Sequence, residues 1–315
     1  MNIIFGGSGF IGKNLIKQIN AEYQVYDIVK TNKNFTYCDI RTEINISTNF
    51  DANCLIYNLA ALCTIPKYED SEYFDTNVNG ALNICNFARK KNIKTIIFLS
   101  SISTYGIKEN HVDEKTLPMP NNAYGISKLI AEYIHLKWQA EDPDSRRLII
   151  IRPGIVFGEN ENGNFTRLYK AMNKGVFFFP GRNDTKKATI YIKDLIKIML
   201  ASNKIFEKNP IIINACYPSP HTIREICLSI SKVTNIRAPQ IVIPGFILKF
   251  LGYLFFLTGK LLKREFLGIH PDRIHKLMIS TNVSGKKLEK YYKLEFSLDE
   301  AILDWFNECN RKGLS

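Results

Sequence analysis

The 315-residue chain lacks several signatures, and each absence removes a class of function. Its seven cysteines (Cys38, Cys54, Cys63, Cys85, Cys216, Cys227, Cys309) are scattered, odd in number and without a C-x-x-C pair. That excludes a disulfide framework and a thiolate metal site, and reads as reduced thiols in the cytoplasm. The five histidines have no ligand spacing, so they are expected to be structural or surface residues and no metal is expected. Nothing before Gly6 resembles a signal peptide, because the first positive charge, Lys13, comes after the glycines. No internal repeat, low-complexity segment or nucleic-acid motif is present, so no nucleic-acid partner is expected.

What remains is the composition of a globular protein, 45% hydrophobic and 23% charged, long enough for one large domain or two smaller ones. The net charge of +12 suits phosphorylated small molecules or anionic lipid.

The most informative stretch is MNIIFGGSGFIGKNLI at the start. Ile3, Ile4 and Phe5 form a short apolar run of the kind found in buried parallel strands, and Lys13 to Gln18 continue as a helix. Between them stand Gly6, Gly9 and Gly12. A strand that turns sharply into a helix aims the helix's free N–H groups at the turn, where a pyrophosphate can sit. A Cβ would block the turn and the close approach of phosphate. Gly6, Ser8, Gly9, Phe10, Ile11 and Gly12 are therefore expected to cradle a dinucleotide. The next strand, Tyr23 to Ile28, carries Asp27, 21 residues beyond Gly6, where a carboxylate accepts from ribose hydroxyls and repels a 2′-phosphate. This argues for NAD over NADP. A third strand, Phe35 to Ile40, places Asp39 where it could meet the adenine amino group, with Ile40 beside it. Strand four, Cys54 to Leu59, runs into the small pair Ala60-Ala61, which lets backbone pass beside a cofactor.

Tyr73 to Lys91 has helical spacing with Val78, Leu82, Cys85 and Phe87 on one face, and Thr95 to Leu99 is a fifth strand. Strands alternating with helices predict an α/β fold built on a doubly wound parallel sheet of the Rossmann type. After strand five comes SSISTYG, then a helix from Asn122 to His135 in which Tyr124 and Lys128 stand one turn apart. A tyrosine, with a pKa of about 10, is a poor base. A lysine ammonium nearby would lower that value by favouring the phenolate, and a serine hydroxyl would hold the same substrate oxygen. Ser101, Tyr124 and Lys128 are the candidate catalytic residues.

Together GGSGFIG, Asp27, CDIR, NLAAL, DTNVNGALN, SSISTYG, YGISK and IIRPGIVFG resemble the extended short-chain dehydrogenase/reductases, the NAD-dependent epimerase/dehydratase family. The resemblance implies a Tyr124 base, a Lys128 that holds the ribose and tunes Tyr124, an assisting Ser101, and an Asn77 that orients the nicotinamide side. It adds Leu59, Ala60, Ala61 and Pro153 to the cofactor's surroundings. Sugar dehydratases of the family carry an Asp-Glu pair directly after the Ser/Thr position; here Ile102-Ser103 stands there, so expulsion of water is disfavoured.

Three longer stretches (149–175, 179–195 and 271–288) are similar to bacterial polysaccharide enzymes that include the 4-epimerases of undecaprenyl-diphosphate-linked N-acetylglucosamine. UDP-galactose epimerases have an asparagine at Ile155, and the branch usually has Asn and Ser around the basic pair of Thr185-Lys186-Lys187-Ala188. The implied activity is NAD-dependent 4-epimerisation of a diphosphate-linked N-acetylhexosamine, with lipid as the expected carrier. The alternatives are a UDP-sugar 4-epimerase, an NAD(P)H-consuming 4-ketoreductase of a nucleotide 6-deoxy-N-acetylhexosamine, and a non-catalytic redox-sensing module.

Residues 1–153 with about 189–215 are expected to bind NAD, and 154–188 with 216–315 to bind substrate. Ser101, Ser103, Asn164, Arg167, Arg182, Lys187 and Arg273 are the substrate candidates, the guanidiniums because they suit phosphate geometry. Ile241 to Leu262 is almost wholly apolar but interrupted by Pro244 and Lys249. A membrane span is therefore not expected, and the open readings are a helix at a lipid interface or a buried helix. With Lys286, Lys287, Lys290 and Lys293, the first favours peripheral contact with an anionic leaflet. Helix faces at 80–91 and 125–137 are where the dimers common in the family would pair.

Overall fold

Short apolar runs between helical stretches can bury both faces only in a parallel sheet covered on each side. A computed structural model, which describes residues 1–30, 34–48, 50–51, 54–63, 68–247 and 278–314, has that arrangement. In chain order the first strands are β1 (Asn2–Phe5), β2 (Tyr23–Asp27), β3 (Phe35–Tyr37), β4 (Leu55–Asn58), β5 (Thr95–Leu99), β6 (Lys108–Val112), β7 (Arg147–Pro153) and β8 (Ile155–Phe157). Next come β9 (Phe179–Pro180), β10 (Lys186–Lys187), β11 (Thr189–Tyr191), β12 (Ile211–Ala215), β13 (His221–Thr222), β14 (Val242–Ile243) and β15 (Thr281–Val283). The helices are α1 (Phe10–Gln18), α2 (Asp70–Phe74), α3 (Gly80–Lys90), α4 (Ala123–Ala140), α5 (Asn164–Asn173), α6 (Ile192–Ile205), α7 (Ile223–Thr234), α8 (Lys286–Glu289) and α9 (Leu298–Glu308).

Seven strands form one parallel sheet in the order β12-β7-β5-β4-β1-β2-β3. Alternation along each strand sorts its side chains between two cores. Ile4, Val25, Tyr57 and Ile97 face α1 and α6, whereas Ile3, Tyr26, Ile56, Ile96 and Phe98 pack against α3 and α4. From β1 the chain goes to β2 on one side, and its later return puts β4 on the other. That reversal opens a crevice at the strands' carboxyl ends, where ligands of such sheets bind.

The helix read at 73–91 is broken by a π-turn, Asp75–Asn79, which shifts the phase of α3. The buried face of α3 is therefore Ala81, Ile84, Cys85, Phe87 and Ala88, and Leu82 is exposed, correcting the face read from spacing.

After β7 a smaller layer forms beside the crevice. A four-stranded sheet, β13-β10-β15-β6, mixes antiparallel and parallel pairs. Capping boxes start α7 (Thr222 with Glu225) and α9 (Ser297 with Glu300), and Trp305 and Ile302 of α9 join the core shared with α6. No helix among the described residues is long and apolar enough to cross a membrane. Most of the apolar stretch 241–262, and Arg273, lie outside the described residues.

Candidate active site

The crevice begins at the glycine turn. Gly6 has φ +82°, and a Cβ there would lie 2.5 Å from the Ala60 nitrogen; one at Gly12 would lie 2.5 Å from the Gly6 carbonyl oxygen. These two glycines pack strand, helix and the 59–61 loop together. Gly9 differs: a Cβ there would meet only the Gly6 oxygen, at 3.6 Å, and otherwise open space. No side chain caps α1 at Gly9, so its first-turn N–H groups face that space. Such a cradle fits a pyrophosphate. Beside it Asp27 is fixed by three backbone N–H donors, Ser8 at 2.8 Å, Ile28 at 2.7 Å and Val29 at 3.2 Å. The carboxylate so held fits a ribose diol. Leu59 bonds back to the Phe5 carbonyl at 2.9 Å, which brings Ala60 and Ala61 alongside the turn.

Asp39 is paired with Arg41, whose guanidinium lies 2.6 Å from its carboxylate, and this hydrogen bond holds its pKa below the usual range. Ile40 turns inward against α3, where Gly80 leaves room for it. Asn77, in the π-turn, joins two segments. Its Oδ1 accepts from Leu62 N–H at 2.9 Å, and its Nδ2 donates to Ser127 Oγ at 2.9 Å. Pro153 ends β7.

Ser101, Tyr124 and Lys128 meet at the carboxyl end of β5. Ser101 begins a 3-10 turn, Ile102–Tyr105, and its Oγ accepts from Ser103 N–H at 3.1 Å. The N-cap Asn122 starts α4 by accepting from Gly125 N–H at 2.9 Å. A Cβ on Gly125 would lie 2.4 Å from the Ser103 carbonyl oxygen, so this glycine lets the first turn of α4 press against the 3-10 turn. That contact is what sets Tyr124 within hydrogen-bonding reach of Ser101. Lys128 is buried, its Nζ donating to the Leu99 carbonyl at 2.5 Å and lying 4.3 Å from the Phe98 ring centre.

The electrostatics correct one expectation. The Tyr124 pKa is raised: burial dominates, Cys63 adds to it, the Ser101 hydrogen bond opposes it, and Tyr73 adds a little. Lys128 is not among the groups that move it in the unliganded site. Burial pushes Lys128 down to about 8, against the influence of Glu132 and Cys63. His135, a structural residue, stacks on Phe98 at 4.1 Å. Burial takes its pKa to about 4.

Beneath the trio lie groups that the sequence did not single out. Glu132, one turn beyond Lys128, is buried with Arg152 of β7. The signal available was the Lys128–Glu132 spacing on one helix face, whereas Arg152 was hidden in an apolar strand.

The substrate candidates are less concentrated. Ser103 is partly buried beside Ser101. Asn164 and Arg167 are exposed in the first turn of α5 and bond each other at 3.3 Å. Arg182 is half-exposed and paired with Asp184 at 2.5 Å and Glu109 at 3.3 Å. Lys187 is buried, donates to the Ile279 carbonyl at 2.6 Å, and is pushed down to about 8 by burial, with Glu109 opposing and Arg182 adding.

Proteins similar to this chain in sequence or fold include sugar 4-epimerases. The chain is 25% identical over 311 residues to the N-acetyl-α-D-glucosaminyl-diphospho-ditrans,octacis-undecaprenol 4-epimerase of Escherichia coli O157:H7, covering 95% of this chain and 93% of that protein. It is 26% identical to the UDP-glucose 4-epimerase of Vibrio cholerae, over 80% of this chain and 81% of that one. Among solved structures, the UDP-N-acetylglucosamine 4-epimerase of Bacillus cereus superposes with a TM-score of 0.72 at 20% identity, covering 98% and 99% of the two chains. The profile of the NAD dependent epimerase/dehydratase family matches residues 2–216, and the chain therefore belongs to that family of NAD-dependent enzymes.

Proposed function

We propose that this enzyme is a 4-epimerase of an N-acetylhexosamine carried on a diphosphate, with a polyisoprenyl lipid as carrier. The observation that carries the chemistry is the meeting of Ser101, Tyr124 and Lys128 at the end of β5, across the crevice from an uncapped glycine turn. The carrier rests on the alignment with the undecaprenyl-linked epimerase, which runs nearly end to end, and on Ile155 where soluble UDP-galactose epimerases have asparagine.

Gly6, Gly9 and Gly12 with Ser8, Phe10 and Ile11 hold the NAD pyrophosphate, Asp27 the adenosine ribose, and Asn77 with Pro153 the nicotinamide side. Bound NAD supplies reversible hydride acceptance and return at the sugar C4. Ser101 Oγ holds the C4 oxygen, and Tyr124 takes the hydroxyl proton as the alcohol becomes a ketone. The 4-keto sugar then presents its opposite face, and Tyr124 returns the proton. Burial keeps the phenol protonated in the unliganded site, and we assign the Lys128 cation, one turn on, to help it ionise once the sugar is bound. Ile102-Ser103 supplies no acid for dehydration. Ser103, Asn164, Arg167 and Lys187 receive the sugar diphosphate. Arg182 serves it only by giving up Asp184 and Glu109. The basic residues near 241–264 and Lys286, Lys290 and Lys293 bring the enzyme to the lipid surface; Lys287 instead donates inward to the Ile212 carbonyl.

Purified protein offered UDP- and undecaprenyl-diphosphate-linked N-acetylglucosamine, with and without detergent, tests both parts. Conversion of the lipid-linked sugar to its C4 epimer is expected. Conversion of the UDP sugar alone would overturn the carrier, and stoichiometric NADH oxidation by a keto sugar would overturn epimerisation.

A further inference from the structure

Five segments converge on one buried ion pair. Glu132 of α4 and Arg152 of β7 are 1% and 3% exposed. Arg152 Nε and an Nη donate to the two Glu132 oxygens at 2.8 and 2.5 Å, and Ser100 Oγ donates to the same carboxylate. The guanidinium carbon stands 4.7 Å from the Tyr105 ring centre. The Tyr105 hydroxyl donates in turn to Asn214 Oδ1 of β12 at 2.9 Å. Ser100 lies between Leu99, whose carbonyl takes Lys128, and Ser101. A buried ion pair adds little stability over a well-packed apolar pair, so its place directly under the site calls for a different explanation.

We propose that Glu132 and Arg152 are a positioning pair. Glu132 clamps the end of β5 to α4, so that Ser101, Tyr124 and Lys128 keep one register, and its carboxylate keeps Lys128 an ammonium, while Arg152 aims and balances that carboxylate. The proposal rests on the catalytic reading of the Ser101, Tyr124 and Lys128 trio. The groups facing Lys128 are Glu132, Tyr124 and the neutral His135 from α4, the Leu99 carbonyl and Phe98 ring from β5, and Cys63 from the loop after β4. Glu132 is the carboxylate among them. Burial works against the Lys128 charge and Glu132 works for it.

The test compares wild type, Glu132→Gln and the neutral pair Glu132→Gln/Arg152→Met for turnover against pH, for NAD affinity against pH by calorimetry, and for melting temperature. In wild type the alkaline fall of turnover is expected near pH 8, where Lys128 loses its proton. In both variants that fall, and the midpoint of the NAD-affinity profile, are expected about one pH unit lower, as loss of an adjacent opposite charge dictates. The neutral pair is expected to melt close to wild type. Unmoved midpoints in variants that fold would overturn the proposal, and so would failure of the neutral pair to fold, which would assign the ion pair to folding alone. Tyr124→Phe is run alongside. Normal turnover in it removes the catalytic reading, whereas an inactive Tyr124→Phe with unmoved midpoints removes only the positioning role.

Discussion

Lys128 and Lys187 are built alike in different regions of the molecule, and the contrast between their surroundings bears on the catalytic and substrate-binding roles proposed for them. Each is buried, each donates to a backbone carbonyl, at 2.5 Å to Leu99 and 2.6 Å to Ile279, and each is pushed to about 8. Lys128 is backed by a carboxylate that is itself sealed from water and locked by Arg152. Lys187 instead feels Glu109 and Arg182, which form a half-exposed pair at 3.3 Å. The first setting is dry and fixed, suited to tuning a neighbouring phenol. The second borders a half-exposed ion pair, beside which the proposed sugar diphosphate would bind.

The largest effects that sharpen this contrast are on the catalytic side. Tyr124→Phe should lower turnover at least ~100-fold by removing the proton carrier, with the fold intact by circular dichroism. Lys187→Met should instead raise KM for the sugar diphosphate about tenfold and leave kcat nearly unchanged, the mark of lost uniform binding. A fall in kcat for Lys187→Met would erase the distinction. A further step down separates the glycines. Gly9→Ala should melt like wild type, since its Cβ meets ordinary contact distance, yet bind NAD about tenfold more weakly, one hydrogen-bonding approach to phosphate being blocked.

The smallest expected effect is on stability. The folded pKa of Lys187 lies below its unfolded value, so the folded state binds fewer protons between about 8 and 10.5 and stability rises with pH across that window. At pH 7 the buried charge costs roughly 3 kcal/mol, offset by about 1 kcal/mol from its hydrogen bond. Lys187→Met should therefore be about 2 kcal/mol more stable at pH 7 in urea unfolding, with the gain shrinking above pH 8. A constant gain across pH would mean that packing, not charge, is responsible.

Much of the fold was legible because its signals are local. Thr95 to Leu99 forms the strand its apolar run predicts, and the glycine turn joins a strand to a helix as its spacing requires. Tyr124 and Lys128 could be paired from sequence because one helix fixes their separation. The π-turn at 75–79 left no such mark: it inserts into an unbroken helical pattern and exposes Leu82. That Arg41, two residues on, folds back on Asp39 carries no sign in the sequence. Arg152 and Glu132 lie 20 residues apart and meet only when β7 packs against α4. Nothing in the sequence around Lys187 marks it as buried, and its carbonyl partner, Ile279, lies far along the chain.

Substrate deuterated at C4 gives the most direct test of reversible oxidation at that carbon. Epimerised product formed in ordinary water and analysed by mass spectrometry should keep the deuterium at C4, because the hydride leaves and returns within one pocket. Exchange of that deuterium for solvent hydrogen, or build-up of a keto sugar with equal reduced cofactor, would contradict it.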